Sequence, residues 1–351
     1  MRIAVLANLK KNAPVYEGMP SDRWDDLDSV STVEALVEVL HSLGHEAMFF
    51  EASLAAPHVL HERLPAWRPD LCFNLSESHF GDAREAHIPC LLEMWRLPYT
   101  GSKPLTQALA LDKTLTKRVL LSHGLPTAPF QLFRQADEPL LPDFVNAQGG
   151  LRFPLFVKPN AEGTSIGVDE HSIVDSVSAL RARVRRHLEV YRQPILVERY
   201  IAGREVMVGL VGNVGRFGAP PPPLHVLPIL EVDFAAHAQR VMIYTNAMKR
   251  VDPGESFYYL CPAPLPEPLA EELRRLACAT FEALDCQDFA RVDFRLDESD
   301  GLRPYILELN TLPGLAPDYS DLCLEALAQG WGYRQLIETI LEAALIRHGL
   351  R

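Results

Sequence analysis

The segment Ala290-Arg291-Val292-Asp293-Phe294-Arg295 alternates apolar with charged side chains, and Tyr305-Ile306-Leu307-Glu308-Leu309-Asn310 places Glu308 and Asn310 two residues apart. Such alternation marks a half-buried strand, in which every second residue shares a face. Asp300-Gly301, a favoured hairpin dipeptide, lies between the two segments. A turn centred there pairs Asp293 with Glu308 and Arg291 with Asn310, gathering carboxylates, an amide and a guanidinium on one face. Pro304 leaves the register open, although a shift by two residues keeps the same face. Hard oxygen ligands of this kind suit Mg²⁺ that also holds substrate phosphates. The same residues also fit a surface ion-pair ladder across two strands. Against the ladder, Asn310-Thr311-Leu312-Pro313-Gly314 ends the strand in a tight turn, where a binding loop would start.

Two further segments carry chemistry. Phe156 to Val168 reads as a strand ending in Lys158, followed by a loop with Gly163, Thr164, Ser165 and Gly167 whose backbone N–H groups could wrap phosphates. It is neither a Walker loop nor a G-x-G-x-x-G fingerprint, and a plain hairpin is the competing reading. Leu196 to Glu205 joins two units, and its carboxylates and free backbone groups could receive adenine and ribose hydroxyls. A polar linker explains it equally well. His41 and His45 are spaced like a helical metal pair, but Gly44 ends the helix between them and favours a structural role.

These segments need elements to position them. Arg2 to Ala7 reads as a buried strand, Ser31-Thr32-Val33-Glu34 as a capping box, and Val33, Leu36, Val37 and Leu40 as the apolar stripe of the helix that follows. Strands over 46–51 and 70–75 complete a parallel α/β unit. After Pro98 to Ser102 the pattern is helical through Asp112-Lys113 to His123-Gly124. A strand over 153–158, a helix over 173–188 and a strand over 195–201 follow. Beyond Gly203 come a strand over 205–211, a proline run at 220–223, a helix over 269–284, the two strands described above, and a closing helix with Leu336, Ile340, Leu341 and Leu345 on one stripe. The expected class is α/β (α+β), in three units over 1–101, 102–202 and 203–351.

Lys and Arg number 34 against 46 Asp and Glu in 351 residues, a net charge of −12, which excludes a general basic binder of nucleic acid. With 48% hydrophobic and 23% charged residues the chain can bury a core. No apolar run approaches a membrane span, and the six scattered cysteines lack C-x-x-C spacing, which points to the cytoplasm.

Taken in order, the motifs resemble the ATP-grasp superfamily and, within it, the D-alanine:D-alanine ligase-like family. The carriers are Ile88-Pro89 through Leu92-Glu93, Pro98 to Ser102, Leu111-Asp112-Lys113, Val157-Lys158-Pro159 with Glu162 to Gly167, Val197-Glu198 with Gly203-Arg204-Glu205, Arg291-Val292-Asp293, and Leu307 to Gly314. The resemblance implies a three-domain ATP-grasp fold with a parallel N-terminal α/β domain and ATP between the central and C-terminal domains. It implies a carboxylate attacking the γ-phosphate to give an acyl phosphate, which an amine then converts to an amide. By motif position Lys113, Lys158 and Lys249 resemble the phosphate-holding lysines, and Thr164 and Ser165 the loop closing over them. Glu198 and Ile201 resemble the adenine hinge and Glu205 the ribose carboxylate. Asp293, Glu308 and Asn310 resemble the ligands of two Mg²⁺, a site that also takes Mn²⁺, while Arg291, with Ser165 and Lys249, resembles the catalytic set. A homodimer is implied as well.

Three segments depart from the family pattern. The Gly-Gly-x-Ser-x-Glu type loop is replaced by Asn8 to Glu17, the His-Gly-x-x-Gly-Glu-Asp-Gly segment by Asn74 to Glu85, and the Lys-Tyr pair of the mobile loop by Lys249-Arg250. All three belong to the acceptor side. The expectation is an ATP- and Mg²⁺-dependent carboxylate–amine ligase acting on amino acids or peptides other than two D-alanines, with Glu17, Arg84, Glu85, Arg250 and Gly314 as acceptor contacts. A genuine D-alanine:D-alanine ligase of peptidoglycan synthesis and a non-catalytic ATP-binding sensor are the alternatives.

Overall fold

The computed structural model describes residues 1–53, 56–141, 151–215, 223–234, 243–244 and 259–351. Lys249, Arg250 and most of the 220–223 proline run lie outside the described residues. Strands β1 (Arg2–Ala7), β2 (Glu46–Glu51) and β3 (Leu71–Asn74) form a parallel sheet in the order β2-β1-β3, as the sequence led us to expect. Helix α1 (Val30–Ser42) starts two residues earlier than the expected capping box. Ser29 is its cap: the backbone there is extended and the hydroxyl accepts the N–H of Thr32 at 3.1 Å, while Ser31 already lies inside the first turn. Gly44, at φ +85°, stops the helix.

After short helices α2 (Leu64–Trp67) and α3 (His87–Trp95), the long helical stretch divides into α4 (Pro104–Leu111) and α5 (Lys113–Ser122). Asp112 breaks it because its extended backbone lets the carboxylate accept the N–H of Leu115 at 2.9 Å and cap α5. That break puts Lys113 at the start of α5. Strands β4 (Phe130–Phe133), β5 (Leu155–Pro159), β6 (Ile173–Val174) and β7 (Ile195–Arg199) form an antiparallel sheet in the order β4-β7-β5-β6, with α6 (Val177–Tyr191) packed on one face.

The third sheet holds β8 (Gly203–Val211), β9 (His225–Val226), β10 (Leu230–Val232), β11 (Tyr259–Leu260), β12 (Phe289–Asp297) and β13 (Arg303–Asn310). Its order is β11-β10-β8-β12-β13, with β9 on β8 and α7 (Glu267–Ala283) against one face. Arg291 pairs with Asn310 and Asp293 with Glu308, the expected register. The connection is longer than a two-residue hairpin: a 3-10 turn over Glu298–Asp300 leads into Gly301 at φ +62°. A bulge between Asp293 and Phe294 absorbs the odd residue and restores the pairing at the site.

Helices α8 (Asp321–Ala328) and α9 (Tyr333–Arg347) return to the first sheet. There Leu336, Ile340, Leu341 and Leu345 share one buried cluster with Ile3, Val5, Leu36 and Leu40. The closing stripe read from the sequence therefore seals the N-terminal core, and α8 was not foreseen. No helix among the described residues is long and apolar enough to cross a membrane.

Candidate active site

A cleft opens between the second and third sheets. Of the expected site residues, Lys113, Lys158, Ser165, Glu198, Ile201, Glu205, Asp293 and Glu308 line it. They arrive from α5, β5, the loop after β5, β7, β8, β12 and β13, so residues up to about two hundred positions apart converge because the two sheets face each other.

Alternating charges organise its floor. Lys113 Nζ donates to the carbonyl of Glu162 at 2.6 Å and meets Glu308 at 3.1 Å. Lys158 Nζ lies 3.0 Å from Glu198 and 4.0 Å from Glu308. Lys117, missed in the sequence reading, is fully buried and approaches the other oxygen of Glu198 at 2.7 Å while donating to Thr127 at 2.8 Å. Burial alone would raise the Glu198 carboxyl, but Lys117 and Lys158 outweigh it and hold the group below the usual carboxylate value. Burial likewise opposes the charge on Lys158, and Glu198 with Glu308 outweighs that, holding the ammonium above the usual lysine value. Lys158 thus stays charged in the cleft floor, whereas burial draws Lys117 below the usual lysine value despite the pull of Glu198. The only signal for Lys117 in the sequence was its position one turn after Lys113 on α5.

Around this floor, Thr164 and Ser165 both adopt the left-handed conformation, at φ +46° and +56°, and Ser165 Oγ donates to the carbonyl of Tyr244 at 2.8 Å. The loop of the second unit therefore touches the third across the cleft mouth. Ile201 packs with Ala128 and Tyr305, and Glu205 pairs with Arg295 at 3.2 Å. Arg291 grips Asp293 with Nε at 2.7 Å and Nη2 at 2.9 Å, Asn310 donates to Asp293 at 2.9 Å, and Arg291 Nη1 reaches Asp321 at 2.8 Å. Arg291 and Asn310 sit beside the cleft residues, one contact behind Asp293.

The acceptor residues divide differently. Glu17 is exposed on a turn and does not line the cleft. Arg84 is 2% exposed, and therefore not a solvated surface charge. It donates to the carbonyl of Ala161 at 2.7 Å and pairs with Asp26 at 2.7 Å and Glu162 at 3.5 Å, tying the first unit to the loop after β5. Glu162 also pairs with Arg23 and accepts from Gln193. Glu85 is buried, and that burial raises its carboxyl above the usual value, with Glu77 as a hydrogen-bond partner. From the replaced segment 74–85, Glu77 and Glu85 join Asp26 and Glu162 as the carboxylates around Arg84. Gly314 gives room rather than a functional group, since a Cβ there would lie 2.7 Å from Ser320 Oγ. His41 bonds the carbonyl of Ala47 at 3.0 Å, in keeping with a structural role.

The sequence profile of the D-ala D-ala ligase C-terminus family matches residues 119–342. The chain is 34% identical over 342 residues to a D-alanine–D-alanine ligase of Syntrophotalea carbinolica, covering 96% of this chain and 97% of that protein. It is 33% identical over 348 residues to the corresponding ligase of Bordetella petrii, covering 96% and 92%. An uncharacterized protein of Sinorhizobium fredii, y4sG, is 34% identical over 359 residues, covering 99% and 98%. The ATP-complexed D-alanine–D-alanine ligase of Bacillus anthracis, 23% identical, superposes over 100% of this chain and 99% of its own with a TM-score of 0.71, which establishes the ATP-grasp fold. The chain belongs to the D-alanine–D-alanine ligase-like family, whose members are ATP-dependent ligases that form a C–N bond.

Proposed function

We propose that this chain activates a carboxylate as an acyl phosphate with ATP and joins it to an amine, with substrates other than two D-alanines. One observation carries the reading: the cleft keeps Lys113, Lys158, Asp293 and Glu308 together, whereas the acceptor wall is rebuilt around Arg84, Glu77 and Glu85. Phosphoryl transfer between anions asks for placed positive charge and excluded water more than for a covalent nucleophile.

In this reading Lys113 and Lys158 receive the polyphosphate, Lys249 adds a third contact, and Thr164 with Ser165 closes over them. Glu198 and Ile201 border the base, and Glu205 the ribose. Arg291 stabilises the oxyanion of the tetrahedral adduct. Asp293 and Glu308, opposite each other in register, together with the amide oxygen of Asn310, form a hard-oxygen donor set that fits two Mg²⁺, or Mn²⁺. Bound there, the metal would neutralise and align the phosphates. Glu17, Arg84, Glu85, Arg250 and Gly314 belong to the acceptor side, Arg84 as the clamp that holds its wall to the phosphate loop. The division into 1–101, 102–202 and 203–351, a cytoplasmic location and a homodimer complete the proposal. Phosphate release from ATP and Mg²⁺ against a panel of D- and L-amino acids and dipeptides, with mass analysis of products, tests it. Amino-acid-dependent release with a new amide supports it, and D-alanine as the sole effective substrate refutes the altered specificity.

A further inference from the structure

We infer that Asp22, on the loop of the first unit that precedes α1, is a positioning residue for the phosphate loop after β5: it fixes Gly167 and, through Gly167, the turn that presents Ser165 to the triphosphate. The inference rests on the reading above, in which that loop receives the phosphates. Asp22 Oδ2 accepts the backbone N–H of Gly167 at 2.8 Å, and the hydroxyl of Tyr191 donates to the same carboxylate oxygen at 3.2 Å. Asp22 and Gly167 lie 145 residues apart along the chain, in different units.

Both polar backbone groups of Gly167 are held. Its carbonyl accepts from His187 Nε2 at 2.8 Å and from Arg183 Nη2 at 3.4 Å, so α6 grips one side of the residue and Asp22 the other. His187 and Tyr191 stand one helical turn apart on the same face of α6. Gly167 has φ +76°, and a Cβ there would lie 2.7 Å from Pro159 Cγ and 3.0 Å from the Tyr191 ring, so only glycine fits. The turn closed by the Val168 N–H on the Ser165 carbonyl at 3.0 Å contains Gly167, so holding Gly167 orients Ser165. Thr164 and Ser165 occupy the left-handed region, which residues with a Cβ avoid. Backbone of that kind persists where the surroundings over-determine it.

The opposite end of the loop is tied to the same segment of the first unit. Arg23, next to Asp22, pairs with Glu162, and Arg84, held by Asp26 at 2.7 Å, donates to the carbonyl of Ala161 at 2.7 Å. The segment is itself anchored, because Trp24 is buried, its Nε1 donates to the carbonyl of Pro14 at 2.9 Å, and the Arg23 guanidinium lies 4.9 Å over its ring. With both ends held from the first unit, the loop has its bent form before ATP arrives, and less ordering opposes binding.

Calorimetry on the full chain compares ATP, with Mg²⁺, and adenosine, which has no phosphates for the loop to grip and is measured by displacement of ATP. Asp22→Ala should weaken ATP about tenfold, the value of one hydrogen bond to a charged group, and leave adenosine unchanged. Asp22→Asn, whose amide oxygen still accepts from Gly167, should restore most of the ATP affinity. Equal weakening of ATP and adenosine in Asp22→Ala marks a merely structural tie and overturns the inference. ATP affinity unchanged in Asp22→Ala overturns it too, as does an Asp22→Asn as weak as Asp22→Ala. Wild type binding ATP no more tightly than adenosine overturns the phosphate-loop reading and this inference with it, a failure separate from any seen only in the variants. If Asp22→Ala does not fold, Tyr191→Phe, which removes the hydroxyl that orients the carboxylate and keeps the ring, decides the matter: a smaller loss confined to ATP supports the inference, and an unchanged ratio of ATP to adenosine affinity overturns it.

Discussion

Replacing Lys117 with Met keeps the apolar stem and removes the ammonium from a site with no solvent exposure. In the native chain that ammonium lies 2.7 Å from Glu198 and 2.8 Å from Thr127, with the Phe130 ring 5.8 Å away. Breaking a buried pair by deleting one partner typically costs about 3–5 kcal/mol, because the other charge is left without compensation. Glu198 keeps Lys158 at 3.0 Å, so the lower end applies, about 3 kcal/mol. Urea unfolding should show this as a lower midpoint at unchanged slope. Glu198 has a carboxyl depressed below its ordinary 4.5, so its contribution is complete above that pH and is lost as pH falls through the lower folded value. The gap between wild type and Lys117→Met should therefore close in acid. Lys158, drawn fully to Glu198, should bind phosphates less well, raising the KM for ATP. A loss below about 1 kcal/mol, the value of a surface pair, with an unchanged KM, would refute the reasoning.

Other perturbations follow from the same geometry. Asp28 is buried beside Asp26, and burial first, then that neighbour, raises its carboxyl from 3.8 to about 7. It therefore costs nothing below 3.8 and progressively more up to about 7, so Asp28→Asn should leave acid stability unchanged and add on the order of 2 kcal/mol at pH 8 by urea titration, after discounting for partial exposure. Asp293→Ala or Asn310→Ala should lower kcat by at least about a hundredfold while circular dichroism shows a retained fold; normal turnover in either would sink the metal assignment. Gly209→Ala places a methyl 2.3 Å from Glu325 and 2.5 Å from Leu322, and thermal unfolding should register about 1–3 kcal/mol of overpacking.

The sequence revealed the parts of the site that repeat a short-range pattern. Alternation gave the shared face and a turn centred on Asp300-Gly301 set Asp293 opposite Glu308, and the pairing held because a bulge corrected for a longer loop than that dipeptide turn. Lys158 and the glycine loop after it were legible for the same reason, since strand and loop are contiguous. Lys117 was not, because a buried lysine and a solvated one look alike on an amphipathic helix until the strand bearing Glu198 is set against it. Arg84 was legible only as an acceptor-side candidate, because its buried partners Asp26 and Glu162 lie 58 and 78 residues away along the chain. Asp321 and Glu325 escaped notice because α8 is a single short element whose partner, Arg291, belongs to another sheet strand. Long-range charge pairing, rather than secondary structure, is what the sequence concealed.

The most direct test of the central claim is ATP turnover with purified protein, Mg²⁺, a carboxylate panel and an amine panel, following phosphate by colour and product by mass. The account expects phosphate release that requires both a carboxylate and an amine, a new amide mass, and little turnover with D-alanine alone. Full conversion of D-alanine to its dipeptide would contradict the altered acceptor wall, and ATP binding with no amide from any pair would contradict the ligase itself.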